Sequence, residues 1–289
     1  MLRRSRTTEL LDAAKRWGAL SRGDADGSRT EVRNAIAIPT ISGPGSILAD
    51  LLRQPACLFS RFRANRLLME GPMTTRTAQA VLFDLDGTLL DTHDLLLATF
   101  RYTARTVLRE AIPDERLMAK VGQPLNTQMW DFTDDPAVHE ELCRVYREYN
   151  AEVHDDMIRL FDGTVPMLER LKEAGLPLAV VTSKRHEVAM RGLDLFGLTG
   201  YFDFLIGSDD WPEHKPHPGP VAHGCERLGL APQTCLYVGD SPFDMQSGSG
   251  AGCATAAALW GMFPQIVLEA ERPTYVCAHG TDVPPLLGC

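Results

Sequence analysis

The sequence predicts an α/β fold: a Rossmann-like doubly wound parallel sheet with an inserted α-helical cap. Three observations carry this. From Ala80 onward, short apolar runs alternate with helical patterns, the signature of parallel strands covered by helices on both faces. The runs end in polar or glycine-rich tips. One helical block, Thr92 to Phe161, stands between the first two strands and is too long for a plain crossover, so a separate cap is expected there.

The elements follow in order. Ala80-Val-Leu-Phe-Asp84 reads as a short buried strand. The cap block holds candidate helices near 93–110, 114–120, 125–132 and 136–153. Val165 to Ala174 is an amphipathic helix stopped by Gly175 and Pro177. Leu178-Ala-Val-Val-Thr182 is the second strand, with a helix over 185–196 after it. Phe204-Leu-Ile-Gly207 is the third strand and 218–229 its helix; Cys235-Leu-Tyr-Val-Gly239 is the fourth and 242–251 its helix. Ala254 to Leu259 is the fifth. The expected organisation is a core of residues 73–91 and 162–289, a cap of residues 92–161, and an N-terminal extension of residues 1–72.

Composition narrows the class. Of the 289 residues, 44% are hydrophobic and 23% charged, as in an ordinary globular chain. A net charge of −9 disfavours a nucleic-acid backbone or an anionic membrane as partner. No apolar run approaches the ~18 residues of a membrane span. The seven cysteines are odd in number, scattered and without a C-x-x-C pair, which predicts reduced buried thiols and a cytoplasmic setting. Charge is uneven: residues 1–72 carry 12 basic and 7 acidic side chains, and the remainder 17 and 31. Three readings of 1–72 compete: a disordered extension, an Arg-rich targeting segment, or residues upstream of a true start at Met73. The abrupt change of composition favours the last, and seven acidic residues argue against the second.

The strand ends carry the chemistry. In open α/β sheets ligands bind beyond the carboxyl ends of the strands. The first strand runs into Asp84-Leu-Asp86-Gly-Thr and the second into Thr182-Ser-Lys. A loop after the third carries Lys215-Pro, and the fourth runs into Gly239-Asp240-Ser-Pro-Phe-Asp244. Taken singly, each has a bland reading as a turn, cap or solvated residue. Together they put four acids, a hydroxyl and a lysine on one edge, where like charges repel unless a cation joins them. Carboxylates, water and a phosphate oxygen suit Mg2+.

In that order and spacing, Phe83-Asp-Leu-Asp-Gly-Thr-Leu-Leu-Asp-Thr92, Val181-Thr-Ser183, Lys215-Pro216 and Gly239-Asp-Ser-Pro-Phe-Asp244 resemble the four motifs of the haloacid dehalogenase superfamily. The cap position resembles its α-helical-cap members. Asp162-Gly-Thr and Leu168-Glu-Arg-Leu-Lys-Glu-Ala-Gly175 are similar to phosphoglycolate phosphatases, including their bacterial pyrophosphatase branch; Tyr146-Arg-Glu-Tyr-Asn150 to His154-Asp155 is a local likeness to that branch. The resemblance implies Asp84 as the phosphorylated nucleophile and Asp86 as acid and base. It implies a hydrogen bond to phosphate from Thr182, charge compensation by Lys215, and Mg2+ held by Asp84, the Asp86 carbonyl and Asp240. Asp244 is expected to act through water or to orient Lys215. Leu85, Gly87, Thr182, Ser183, Lys215 and Gln123 are implied substrate contacts, Gly87 as the turn that brings N–H groups to the phosphate.

Specificity is expected in the cap, with His93, Arg101, Arg105, Lys120, Gln123 and Asn126 as candidates. His214 and His217 are read as loop residues, and Trp260 and Phe263 as packing. The expected activity is hydrolysis of a small phosphomonoester such as 2-phosphoglycolate, by a monomer or homodimer. Inorganic pyrophosphatase is the closest alternative; a sugar phosphomutase and a non-catalytic phosphate-binding module are the others. Dehalogenation is disfavoured by the acid at Asp86.

Overall fold

In the computed structural model, which describes residues 78–289, the first strand shows how the sheet is built. β1 (Ala80–Phe83) is fully buried, and its period of two sends Val81 and Phe83 to one face and Ala80 and Leu82 to the other. β4 (Leu178–Val181) and β6 (Cys235–Gly239) divide in the same way, so apolar clusters form on both faces of the sheet. With β5 (Phe204–Ile206), β7 (Ala254–Ala258) and β8 (Tyr275–Cys277) they form a six-stranded sheet, β5-β4-β1-β6-β7-β8. All its pairs are parallel; Val81 lies opposite Leu178 and Leu82 opposite Tyr237. The order reverses about β1, which places a topological switch point at the sheet's centre.

Helices between the first two core strands make the insertion. They are α1 (His93–Thr103), α2 (Asp114–Leu117), α3 (Leu125–Met129) and α4 (Pro136–Met157). α4 starts on Asp135, whose carboxylate accepts the Ala137 N–H at 2.8 Å, with Pro136 in the first turn. The insertion has its own core, where Phe100 meets Tyr146 edge-on at 5.0 Å among Leu96, Leu117, Met129 and Leu142. A short antiparallel ribbon, β2 (Leu90–Asp91) with β3 (Arg159–Leu160), ties its two ends. The remaining helices flank the sheet: α5 (Thr164–Glu173), α6 (His186–Leu195), α7 (Gly219–Arg227), α8 (Pro242–Ala251) and α9 (Gln265–Ala270).

Several expectations change in detail. The helix expected over 93–110 is α-helical only to Thr103 and continues as a π turn over Ala104–Leu108, ended by Arg109 at φ 59°. The hydroxyls of Thr99 and Thr103 donate to the Leu95 and Thr99 carbonyls, competing with the helical ladder just before it changes pitch. β2, β3, α9 and β8 are additions; two- and three-residue strands are too short for periodicity to reveal. Among the described residues, Cys143, Cys225, Cys235, Cys253 and Cys277 are buried free thiols and Cys289 is partly exposed. Also among the described residues, no helix is long and apolar enough to cross a membrane. The three readings of residues 1–72 concern residues outside those described.

Candidate active site

Asp84 follows β1 at the switch point, and its N–H donates to the Val238 carbonyl of β6 at 2.9 Å, fixing the turn. Thr182 follows β4, Asp240 follows β6, Asp244 lies in the first turn of α8, and Lys215 comes from the loop before α7. Lys215 Nζ donates to Asp84 Oδ1 at 2.7 Å and to Asp244 Oδ1 at 2.5 Å. All three side chains are at most 3% exposed. The second Asp244 oxygen accepts from the Ser241 N–H at 3.0 Å and the Ser241 hydroxyl at 2.5 Å, as part of the α8 capping box. Tyr237 Oη lies 3.1 Å from Asp244 Oδ1 and 2.9 Å from the Val181 carbonyl. Asp244 is thereby built into the scaffold and aimed at Lys215.

Asp84, Asp240 and Asp244 each present an oxygen within 4.8 Å of the others. Lys215 is the ammonium paired within this buried set. Burial raises the Asp84 carboxyl, the Asp244 charge raises it further, and Lys215 offsets only part, leaving it at about 7 against an ordinary 3.8. Burial, then Asp244 and Asp84, push Asp240 well above its usual range. Burial works against the Lys215 charge, but Asp244 and Asp84 outweigh it and hold the ammonium above its ordinary value. Three buried carboxylates against one lysine leave an excess of negative charge, and an all-oxygen donor set of that kind fits a hard divalent cation such as Mg2+.

This arrangement has a measurable consequence. Between the unfolded value of 3.8 and the folded value of about 7, Asp84 binds more protons when folded than when unfolded. Stability of the ion-free protein from this group is therefore fullest at low pH and is lost as pH rises through about 7. Asp240 acts in the same direction. Chelated protein is expected to lose melting temperature between about pH 5 and about pH 8 in excess of an Asp84→Asn variant, and added Mg2+ to close the gap at the higher pH.

Asp86 stands apart from the three-carboxylate cluster. Both its oxygens lie 2.8 Å from Lys184 Nζ. Thr182 Oγ1 accepts the Lys184 N–H at 3.2 Å, which leaves its own proton to donate. Asp84, Asp86, Thr182 and Lys184 line a cavity of about 600 Å³ whose opposite wall is Leu96, Phe100, Val121, Gln123, Asn126 and Tyr146 of the insertion.

Other expected residues land differently. The Leu85 side chain is wholly inside the core, so only its main chain remains for substrate. The Gly87 N–H is taken by the Leu90 carbonyl at 2.8 Å and does not point its hydrogen at a phosphate. Glycine is required there because φ is +82° and a Cβ would lie 2.2 Å from Asp240 Oδ2. The Ser183 hydroxyl donates to the Gly122 carbonyl of the insertion at 2.6 Å, joining the two halves of the cavity wall. Of the cap candidates, Gln123 and Asn126 line the cavity. His93, Arg101, Arg105 and Lys120 do not; Arg101 is paired with Asp114, Lys120 with Asp131 and His93 with Asp94. His214 lines the cavity, whereas His217 pairs with Glu213. Trp260 and Phe263 pack as expected.

Sequence reasoning missed Lys184, Arg147, Arg185 and Arg191 on the cavity wall, and a loop after β7. In that loop the Met262 N–H donates to Asp240 Oδ2 at 2.7 Å, and the Trp260 indole N–H donates to the Thr88 carbonyl at 2.9 Å. Gly261 packs so closely that a Cβ would lie 2.2 Å from Asp240 Cβ and 2.5 Å from the Gly87 carbonyl. The one available signal was position, since the loop leaves the same sheet edge as the motifs. Gly261→Ala is expected to displace Asp240 and raise the Mg2+ concentration for half-activation about 10- to 100-fold, read from a metal titration of turnover.

Comparison with known proteins agrees with this geometry. The family model for haloacid dehalogenase-like hydrolases matches residues 81–258. A Caldanaerobacter subterraneus protein named "Putative pyrophosphatase PpaX" is 42% identical over 196 residues, 68% of this chain and 88% of that protein. Pyrophosphatase PpaX of Bacillus velezensis is 32% identical over 216 residues, 75% of this chain and 99% of its own length. A crystal structure described as a predicted phosphoglycolate phosphatase, from Haemophilus somnus, has a TM-score of 0.67 at 27% identity and covers 73% of this chain and 97% of its own. The matched span runs from the central strand to the end of β7 and takes in Asp84, Thr182, Lys215, Asp240 and Asp244, so the chain belongs to the haloacid dehalogenase-like hydrolases, as a phosphatase of that family.

Proposed function

We propose that the chain is a Mg2+-dependent phosphatase that hydrolyses a small phosphorylated substrate through a phospho-Asp84 intermediate, with residues 92–161 as its cap. The observation that carries this reading is the pairing of buried Asp84 with Lys215 inside a three-carboxylate cluster at a cavity. Asp84 and Asp240, with the Asp86 carbonyl, would hold the ion, with Asp244 beside it orienting Lys215; when bound, the ion supplies the positive charge that lets an anionic phosphoryl group approach a carboxylate. Asp84 attacks phosphorus and Asp86 gives a proton to the departing oxygen. Water then attacks the acyl phosphate, Asp86 takes its proton, and phosphate leaves with Asp84 regenerated. Thr182 donates to a phosphoryl oxygen, and Lys215 offsets the charge on Asp84 and the transferring group.

The leading substrate class is a small phosphomonoester such as 2-phosphoglycolate, in line with the Haemophilus somnus neighbour's description. Pyrophosphate is a second reading, supported by the 42% identity to a protein named for that activity. Both carry a second anionic group, which suits Arg147, Arg185 and Arg191 on the cavity wall. Phosphate release from 2-phosphoglycolate, pyrophosphate and hexose phosphates, with Mg2+ or with a chelator, tests the reading. Metal-dependent release from one of them is expected; no release from any, or release indifferent to chelation, overturns it.

A further inference from the structure

Lys184 lines the cavity and takes no part in the steps above. Lys184 Nζ lies 2.8 Å from each oxygen of Asp86, and the two side chains are 10% and 18% exposed. The lysine is held from its own backbone as well. Its N–H donates to Thr182 Oγ1 at 3.2 Å, and its carbonyl accepts the Ser208 N–H at 2.9 Å. The preceding residue, Ser183, is tied to Gly122 of the cap. A lysine stem anchored this way loses little further freedom when its ammonium meets a carboxylate, and partial burial protects the pair from screening.

The other cavity cations have partners other than Asp86 in this structure. Lys215 serves Asp84 and Asp244, Arg185 pairs with Asp209, Arg191 with Asp155, and Arg147 donates to the Asn126 amide oxygen. The structure therefore divides the work between two lysines, one on the nucleophile and one on the acid–base carboxylate. Resting on the proposed phosphatase mechanism, we infer that Lys184 is a positioning residue: it fixes the Asp86 carboxylate where the departing oxygen and the attacking water each pass, and it acts through Asp86 without binding substrate. Lys184 neither gains nor loses a proton in either step; Asp86 starts as the acid, gives its proton to the leaving oxygen as the P–O bond breaks, and as the carboxylate held by Lys184 takes one from water as the new P–O bond forms, which restores it.

Three substrates separate this role from its rivals. 2-Phosphoglycolate has an alkoxide leaving group and a distal anion, ethyl phosphate has the leaving group without the anion, and p-nitrophenyl phosphate has a leaving group that departs without a proton. Lys184→Met is expected to lower kcat about 10- to 100-fold on the first two alike, part of the 10²–10⁴ that general acid–base catalysis supplies, with KM within about three-fold. The p-nitrophenolate burst in a single turnover is expected to slow by less than about three-fold, as in Asp86→Asn. Lys184→Arg is expected to restore most of the lost kcat. A rise in KM confined to 2-phosphoglycolate would make Lys184 a substrate ligand and overturn the inference. So would equal losses on all three substrates, the mark of a damaged fold. Wild-type enzyme inert towards all three with Mg2+ would instead sink the phosphomonoester reading on which the inference rests, a separate result.

Discussion

Asp84→Asn is expected to remove steady-state turnover, with a loss on the order of 10⁴ to 10⁶ in kcat, while the protein stays folded. The amide is nearly the same shape, so the buried packing around it is kept. It is a poor nucleophile and cannot form the acyl phosphate, so no phosphorylated protein should be seen by mass spectrometry after a rapid quench. Stability argues in the same direction. Burial and the Asp244 charge make ionised Asp84 costly in the ion-free fold, so a neutral side chain relieves part of that cost, although it weakens one contact of Lys215. The ion-free variant is expected to melt within a few degrees of the parent at neutral pH, and to respond less to Mg2+. A variant that turns over at the parent's rate would mean that another group attacks phosphorus.

Lys215→Met is expected to be the most destabilising single change in the site. The ammonium bridges Asp84 and Asp244 at 2.7 Å and 2.5 Å in a nearly dry environment. Removing one member of a buried charge group costs about 3 to 5 kcal/mol, because its partners are left uncompensated. The remaining carboxylates respond by holding protons to higher pH. Stability of the variant should then fall more steeply than the parent's as pH rises, since the folded state keeps protons that the unfolded chain releases near its ordinary 3.8. Denaturant melts in chelator at several pH values measure this directly. A variant as stable as the parent at about pH 8 would mean that the carboxylates are neutral already and that the lysine is not their counter-charge.

The fold was legible because its signals are local. Ala80 to Phe83 and Leu178 to Val181 are apolar on both faces, and each is followed within a few residues by a polar turn, which is what a central parallel strand requires. The motif residues were legible for a related reason: Asp84, Thr182, Lys215 and Asp240 all follow strands, and strand ends of a parallel sheet share one edge. The loop Trp260 to Met262 was not, because it reaches Asp240 through a main-chain N–H that almost any residue offers, and a glycine does not by itself say what it packs against. The cap was harder still. Arg101 and Asn126 are polar residues on helices, where periodicity separates buried from exposed without saying which exposed side meets another domain, and Lys120 and Gln123 lie in the turn between α2 and α3, where no periodicity operates.

Sequence alone determined five of the sheet's six strands, the insertion and the edge where the reactive groups gather, since all three rest on short-range patterns of burial and chain reversal. The partnership of each charge was decided only by the tertiary structure. Lys215 went to Asp84 and Asp244, Lys184 to Asp86, and Ser183 to the cap, across separations of 29 to 131 residues. Attraction between charges and the cost of burying them depend on distance through space and on what excludes water, and neither quantity exists until the chain has packed.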